Sequence, residues 1–183
     1  MYRKCVTDIS VEHQRQLEDS LLELMQTIPY EEISVTRICQ AAGLSRRIFY
    51  HLFNNKAGAL HALLDHRILG IGGYLPQLDD PTLQFFLYWK DQQKLLDTLY
   101  ANDLIGLLLE RMITNVLDED YDLLHWLRGN GWKREQEVLT FTITGIMALV
   151  CRWYYSGYEK SPEEMAQLVS SLVTHPLSGP AIP

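Results

Sequence analysis

The chain has 183 residues, of which 47% are hydrophobic and 10% aromatic, which is enough for a real core and argues against disorder of the whole chain. Its net charge of −7 argues, taken as a whole, against nucleic acid as a partner. Residues 1–70 nevertheless sum to zero, with eight basic and eight acidic side chains, so the entire acidic excess lies in residues 71–183.

Other bulk features exclude several classes of protein. The three cysteines, Cys5, Cys39 and Cys151, are far apart and lack metal-ligand spacing, so neither a disulfide framework nor a zinc site is predicted. The N-terminus lacks the apolar run of a signal peptide, and no uncharged apolar run reaches about 18 residues. We therefore expect a cytoplasmic protein with no membrane partner and no cofactor.

Helical periodicity runs through nearly the whole chain and predicts an all-α fold of about nine helices. The first helix is predicted at about Val11–Ile28, with Ser10 as its cap. Three more follow, two of them short, at about Val35–Ala42, at Arg46–Leu52 and from Lys56 onward, capped by Ser34, by Ser45 and by Asn54 or Asn55.

The segment Gly70–Pro81 holds the densest Gly and Pro in the chain and predicts a boundary between a domain at 1–70 and a domain at 71–183. Asp80 and Pro81 then restart the helical pattern as cap and first helical residue. Helices are predicted at 81–90, 91–101, 103–128, 133–157 and 161–174, the last opened by a capping box at Ser161–Glu164.

The segment GLSRRIFYHLF, at 43–53, combines a turn glycine with a helix of two unlike faces. Two short helices around a tight turn, after a longer helix, have the shape of a helix-turn-helix, and Gly43 suits the left-handed turn position. Four-residue spacing of Ile48 with Leu52 and of Phe49 with Phe53 predicts a docking face. The other side presents Ser45, Arg46, Arg47, Tyr50 and His51.

That second face suits DNA, because arginine forks onto guanine edges or phosphates. Residues 33–64 also lack any carboxylate, and their four charges are all basic: Arg37, Arg46, Arg47 and Lys56. From the residues alone, ordinary packing of two helices joined by a turn explains this pattern as well as DNA recognition does.

Residues from about 11 to 65 resemble the N-terminal DNA-binding domain of TetR/AcrR-type transcriptional regulators. The resemblance lies in ISVTRICQAAGLSRRIFYHLFNNKAGALHALL, over a whole subdomain. It implies DNA-contact roles for Thr36, Arg37, Ser45, Arg46, Arg47, Tyr50, His51 and Lys56. Within this set we expect Arg46 and Arg47 to read bases, and Tyr50 and Lys56 to hold phosphate.

Ser45 is expected to divide between helix capping and phosphate contact. The chain departs from the common family pattern at Arg47 and Ile48, where Gly or Ser and then Thr are usual, which predicts an altered operator preference. Two further departures, at Leu52 and Ala59, leave the expected fold intact.

The C-terminal segment EVLTFTITGIMALVCRWYYSGYEKSPEEMAQLVSSLV resembles the last two helices of a TetR subset that includes a dihydroxyacetone-kinase operon regulator. The resemblance implies a helical ligand-binding and dimerisation domain. Small residues allow close approach of a second helix, with apolar residues beside them. The predicted dimer interface comprises Thr144, Gly145, Ala148, Trp153, Met165, Leu168, Val169 and Leu172. Burial of these residues within one chain is the alternative.

An apolar cavity between the middle helices is predicted to bind an unknown small-molecule effector. The residues expected to line it or to contact the ligand are Phe85, Trp89, Tyr100, Met112, His125, Trp126, Phe141 and Arg152. Plain core packing of the aromatic residues is the alternative. The acidic run at 118–122 is interpreted as a solvated turn, although inward-facing carboxylates there would suit a cationic ligand.

Together these features predict a ligand-responsive bacterial transcriptional regulator that binds a palindromic double-stranded DNA operator as a homodimer. A repressor is favoured over an activator. One alternative is a regulator of the same fold that acts through a protein partner. The other is a small helical enzyme, for which His61 and Asp65 form a candidate metal pair without a third ligand nearby.

Overall fold

The computed structural model of the chain describes residue 2 and the ranges 7–74, 80–116 and 136–174. Within them the regular structure is helical, apart from one isolated antiparallel bridge between Tyr2 and Phe53, so the predicted all-α class is confirmed. None of the described helices is long and apolar enough to cross a lipid bilayer.

Nine α-helices occupy the described ranges, and a short 3₁₀ helix, Tyr30–Glu32, precedes the second of them. Their bounds are α1 Asp8–Met25, α2 Val35–Ala41, α3 Arg46–Leu52, α4 Lys56–Tyr74, α5 Pro81–Asp91, α6 Gln93–Ala101, α7 Ile105–Val116, α8 Gln136–Tyr155 and α9 Pro162–Thr174. The last part of the predicted 103–128 helix and the predicted acidic turn lie outside the described residues.

Most helix starts follow the predicted caps. Ser34 and Ser45 accept the backbone N–H groups of Arg37 and Ile48 at 3.2 and 3.3 Å. The Asn55 side chain accepts the backbone N–H of Gly58 at 2.9 Å, which selects Asn55 over Asn54.

The start of α1 was predicted wrongly. It begins at Asp8 rather than Val11, because Thr7 is the N-cap and Ser10 is the third helical residue of a capping box. Each of these two side chains accepts the other's backbone N–H at 3.3 Å. By contrast, the predicted box at the start of α9 is confirmed, with Ser161 and Glu164 bonded reciprocally at 2.7 and 3.2 Å.

The helices form two compact units. The first comprises the described residues up to Leu69 together with Lys94–Asn115, and the second comprises Gly70–Gln93 and the described residues from Val116 onward. The division at Leu69 adjoins the predicted boundary, but α6 and α7 belong to the first unit. Asn102 ties this segment to the first unit, because its side chain donates to the carbonyl of Met25 at 3.1 Å and accepts the N–H of Tyr30 at 2.6 Å.

In the second unit, α5 packs against α9 and meets α8 through aromatic rings. Phe86 on α5 lies edge-on to Trp153 on α8, with ring centroids 5.6 Å apart. The Trp153 indole N–H donates to the carbonyl of Lys160 at 2.8 Å, and the residue is almost wholly buried. Trp153, predicted at the dimer interface, is therefore a core residue of its own unit, because it closes α8 against α5.

Asp65 on α4 carries a buried charge in the first unit. Arg111 on α7 forks onto it, with Nε to Oδ1 and Nη2 to Oδ2 both at 2.7 Å. Asn115 and the Tyr2 hydroxyl also donate to this carboxylate, each at 2.9 Å. Burial and the Asp65 carboxylate raise the pKa of Tyr2, so its hydroxyl keeps its proton and remains a donor.

This network gives Asp65 a structural role in place of the metal-binding role that the enzyme alternative required. Within the described part of the chain, no three His, Cys, Asp or Glu side chains lie together as metal ligands. His66, whose side chain is 38% exposed, contacts the buried Glu18 carboxylate at 2.8 Å.

We expect Arg111→Met to lower the free energy of unfolding by about 3–5 kcal/mol, because it leaves the Asp65 charge buried without its cation. Arg67→Met is the matched control, since Arg67 pairs with Asp19 at 2.9 Å on the surface. It should cost less than about 1 kcal/mol. Chemical denaturation measures both, and equal costs for the two variants would contradict a stabilising role for the buried pair.

Candidate nucleic-acid interface

Helix α3 is held by an apolar inner face. Phe49 and Phe53 are wholly buried, their ring centroids are 5.2 Å apart, and Leu52 is buried beside them. Ile48, predicted on the same face, is only half-buried at its edge. The three buried side chains fix which side of α3 faces solvent.

The turn before α3 has the geometry that the sequence predicted. Gly43 takes a left-handed backbone, with φ of 66°, where a side chain would be strained. The N–H of Leu44 bonds the carbonyl of Cys39 at 2.9 Å, and that of Gly43 bonds Gln40 at 3.3 Å. These two bonds form a Schellman motif that ends α2 and sets the direction in which α3 begins.

Seven of the eight residues predicted to contact DNA are exposed on α2 and α3 or the cap between them, and we call this surface the basic face. Its members are Thr36, Arg37, Ser45, Arg46, Arg47, Tyr50 and His51. Neither helix contains an acidic residue. The Arg46 guanidinium lies 5.8 Å from the centroid of the Tyr50 ring, so two members of the face are also in mutual contact range.

Lys56, the eighth predicted contact, is engaged elsewhere. Its ammonium donates to the carbonyls of Tyr30 at 2.6 Å and Glu31 at 3.2 Å, and it lies 4.1 Å from the centroid of the Tyr30 ring. The charge thereby stabilises carbonyl groups of the 3₁₀ helix that leads into α2. These bonds tie Lys56 to the segment that leads into α2, and the expected phosphate contact stays a prediction.

A cleft of about 480 Å³ opens beside the basic face, between the first turns of α1 and the outer side of α3. It is lined by Thr7, Ile9, Ser10, His13, Arg47, Ile48, Tyr50, His51 and Leu52. Sequence reasoning missed its α1 wall because the predicted helix began after Ile9. The signal that would have found it is the Thr7–Ser10 capping pair.

The described residues predicted to form the ligand pocket belong to both units. Phe85 and Trp89 are buried in the second unit, whereas Tyr100 and Met112 belong to the first. Phe141 is 79% exposed and Arg152 is exposed as well, so neither is buried within the described part of the chain. His125 and Trp126 lie outside the described residues.

The residues predicted at the dimer interface also divide into two groups. Gly145, Ala148 and Leu168 are exposed, and Thr144 is half-buried. Met165 and Val169, like Trp153, are buried within the unit because α9 packs against α5. The side chain of Leu172 lies outside the described part.

Comparison with known proteins agrees with this geometry. Residues 19–63, which contain the turn and all of α2 and α3, match the family described as bacterial regulatory proteins, tetR family. No curated protein sequence matches the chain. Among solved structures, the chain is similar to the fatty acid degradation regulator FadR from Bacillus halodurans.

That similarity has a TM-score of 0.58 and 20% sequence identity, and it covers 97% of this chain and 100% of the other. At this identity the likeness shows a shared fold. The helix-turn-helix geometry, the family match over the same residues and the shared fold thus agree, and residues 19–63 form a helix-turn-helix region that matches the tetR family.

Proposed function

We propose that the chain is a transcriptional regulator of the TetR family and that it binds a double-stranded DNA operator through the basic face. The observation that carries the proposal is the contrast between the acid-free face and a chain of net charge −7. Two adjacent arginines stand exposed in the first turn of α3, while the buried phenylalanines fix their side of the helix. Local positive potential next to a helix that fits the major groove suits DNA.

Roles within the face follow from side-chain chemistry. Arg46 and Arg47 carry planar forks that bond the O6 and N7 edges of guanine, so we assign base readout to them. Tyr50 and His51 carry donors for phosphate oxygens. Ser45 accepts the N–H of Ile48 with its oxygen, and its own hydroxyl proton can still be donated to a phosphate.

A homodimer is part of the proposal, and α8 supplies the support. Exposed residues recur on this helix at steps of three and four: Val138, Phe141, Gly145, Ala148, Arg152 and Tyr155. Phe141 and Tyr155 are 79% and 71% exposed, and a Cβ placed on Gly145 would meet nothing within 4 Å apart from its chain neighbours and the backbone of its own helix. A second copy of α8 would cover this stripe, with large side chains against small ones.

Two copies present two basic faces, which suits a palindromic operator with half-sites about one helical turn apart. We further propose that the second unit binds a small-molecule effector that alters operator affinity, and that the dimer acts as a repressor in the cytoplasm. The FadR neighbour is a regulator of fatty acid degradation, but at 20% identity its ligand is not transferred to this chain.

Arg46→Ala should weaken binding to DNA from upstream of its own gene by about 1–3 kcal/mol and relax base preference at one position of each half-site. Electrophoretic mobility shift at several salt concentrations measures this. Arg15→Ala, an exposed arginine of α1 outside the basic face, is the control and should bind as the wild type does. No salt-sensitive, sequence-specific shift by the wild type would refute operator binding.

Lys56→Met should lower the free energy of unfolding by about 1–3 kcal/mol, because two charge-assisted hydrogen bonds to carbonyls are lost. The slope of log affinity against log salt should stay unchanged. Lys94→Met, at an exposed lysine of the same unit, is the matched control for stability. Unchanged stability with a slope reduced by about 1 would instead assign Lys56 to a phosphate.

Phe141→Glu should convert the dimer to a folded monomer and weaken operator binding, because it places a charge in the proposed α8 interface. Its exposure within one chain means that the fold should survive, which circular dichroism checks. Ile113→Glu, on the exposed side of α7, is the same change outside the interface and should leave the dimer intact. Sedimentation measures the mass, and a dimeric Phe141→Glu would refute the α8 interface.

A further inference from the structure

Gln84 and Trp89, both on α5 in the second unit, are polar side chains without partners. Gln84 is wholly buried, and neither its amide nitrogen nor its amide oxygen has a hydrogen-bond partner among the described residues. Trp89 is also wholly buried, and its indole N–H has no partner there either. Trp153 in the same unit shows the usual arrangement, since its indole N–H donates to a carbonyl at 2.8 Å.

Such groups destabilise a fold, because they give up hydrogen bonds to water and receive none in return. Buried polar groups in folded proteins are almost always paired, so each exception calls for an explanation. An apolar side chain of the same length would fill the place of Gln84 without that cost. Three buried polar atoms without hydrogen-bond partners lie on this one helix. They indicate a role in binding rather than in the stability of the ligand-free chain.

Aromatic rings pack around Trp89, on the same helix as Gln84. The Trp89 ring lies 5.6 Å from the ring of Tyr88 and 6.3 Å from that of Phe85, centroid to centroid. Phe86, next to them, packs edge-on against Trp153. Among the described residues of the second unit, Gln84 is the sole buried polar side chain outside the aromatic residues, and no buried side chain carries a formal charge.

We propose that Gln84 forms the polar end of the effector site, and that the effector is an uncharged, mainly apolar molecule with a carbonyl beside an N–H or O–H group. The Gln84 amide then donates to the ligand carbonyl and accepts from its N–H or O–H. The aromatic rings contact the apolar body. This inference rests on the proposed effector role of the second unit.

The absence of buried charge decides the class of ligand. A carboxylate or ammonium group placed here would lose its hydration, with no buried opposite charge among the described residues of the second unit to compensate it. A neutral carboxamide matches both halves of the Gln84 side chain and loses much less. The site should therefore discriminate between an amide and the acid anion of the same carbon chain.

The test compares the wild type with Gln84→Met, which keeps an unbranched side chain of similar length but removes both polar atoms. Gln167→Met, at an exposed glutamine of α9, is the matched control. Thermal unfolding of the full chain and calorimetric titration are run at neutral pH without a probe, with octanamide and with octanoate.

Without a probe, Gln84→Met should melt higher than the wild type by about 2–4 °C, because an unpaired amide has been removed. Octanamide should stabilise the wild type and Gln167→Met. It should bind at least about tenfold more weakly to Gln84→Met, which corresponds to the loss of one or two hydrogen bonds. Octanoate should bind the wild type more weakly than octanamide does.

Three results would overturn the inference: a lower melting temperature for probe-free Gln84→Met, no stabilisation of the wild type by octanamide, or octanoate bound as tightly as octanamide. Operator binding without a probe separates this from the proposed function. Gln84→Met should bind the operator as the wild type does. Loss of amide binding with intact operator binding refutes only the ligand assignment, whereas a wild type that binds no operator refutes the regulatory role itself.

Discussion

The burial of Phe49 and Phe53 fixes the orientation on which the rest of the proposed DNA interface depends. Helix α3 has seven residues and is too short to be stable by itself, so tertiary packing must hold it. Removing either ring would cost about 3–5 kcal/mol, more than any single exposed residue of the helix contributes. Because the side chains of a helix are geometrically coupled, fixing the inner face also fixes where the two arginines point.

Arginine appears in this chain in two electrostatic settings, and the contrast explains the function better than net charge does. Arg111 is neutralised inside the first unit by Asp65, at 2.7 Å for both contacts, so its charge stabilises the fold. Arg46 and Arg47 stand exposed on a surface whose helices contain no acid, so their field extends into solvent. A chain of net charge −7 can therefore still present a face that attracts phosphate.

The helix-turn-helix could be predicted almost residue by residue, because its signals are local. Ser45 as cap, Gly43 as turn residue and the bounds Arg46–Leu52 all agree with the structure, since caps and left-handed glycines depend on near neighbours. The start of α1 was missed because Thr7 and Ser10 are both good caps, and only their reciprocal bonding selects Thr7.

Tertiary contacts set the limit of sequence reasoning. The sequence predicts a phosphate contact for Lys56. It does not show that the Lys56 ammonium bonds carbonyls of the 3₁₀ helix, which lie about 25 residues away along the chain. Helical spacing predicted that Trp153 lies on the apolar face of its helix. It did not predict whether α5 or a second copy of the chain would cover that face. No sequence pattern separates an unpartnered Gln84 from an ordinary buried glutamine, because that difference lies in its neighbours.

Selection of bound sequences from a random duplex DNA library by the wild-type protein tests the central claim most directly. We predict enrichment of one palindromic sequence with guanines in each half-site at the positions that the two arginines reach. Affinity for it should fall steeply with salt, as expected when lysine and arginine displace counterions from phosphates. Failure to enrich any sequence above the starting library, with a folded protein, would contradict the account.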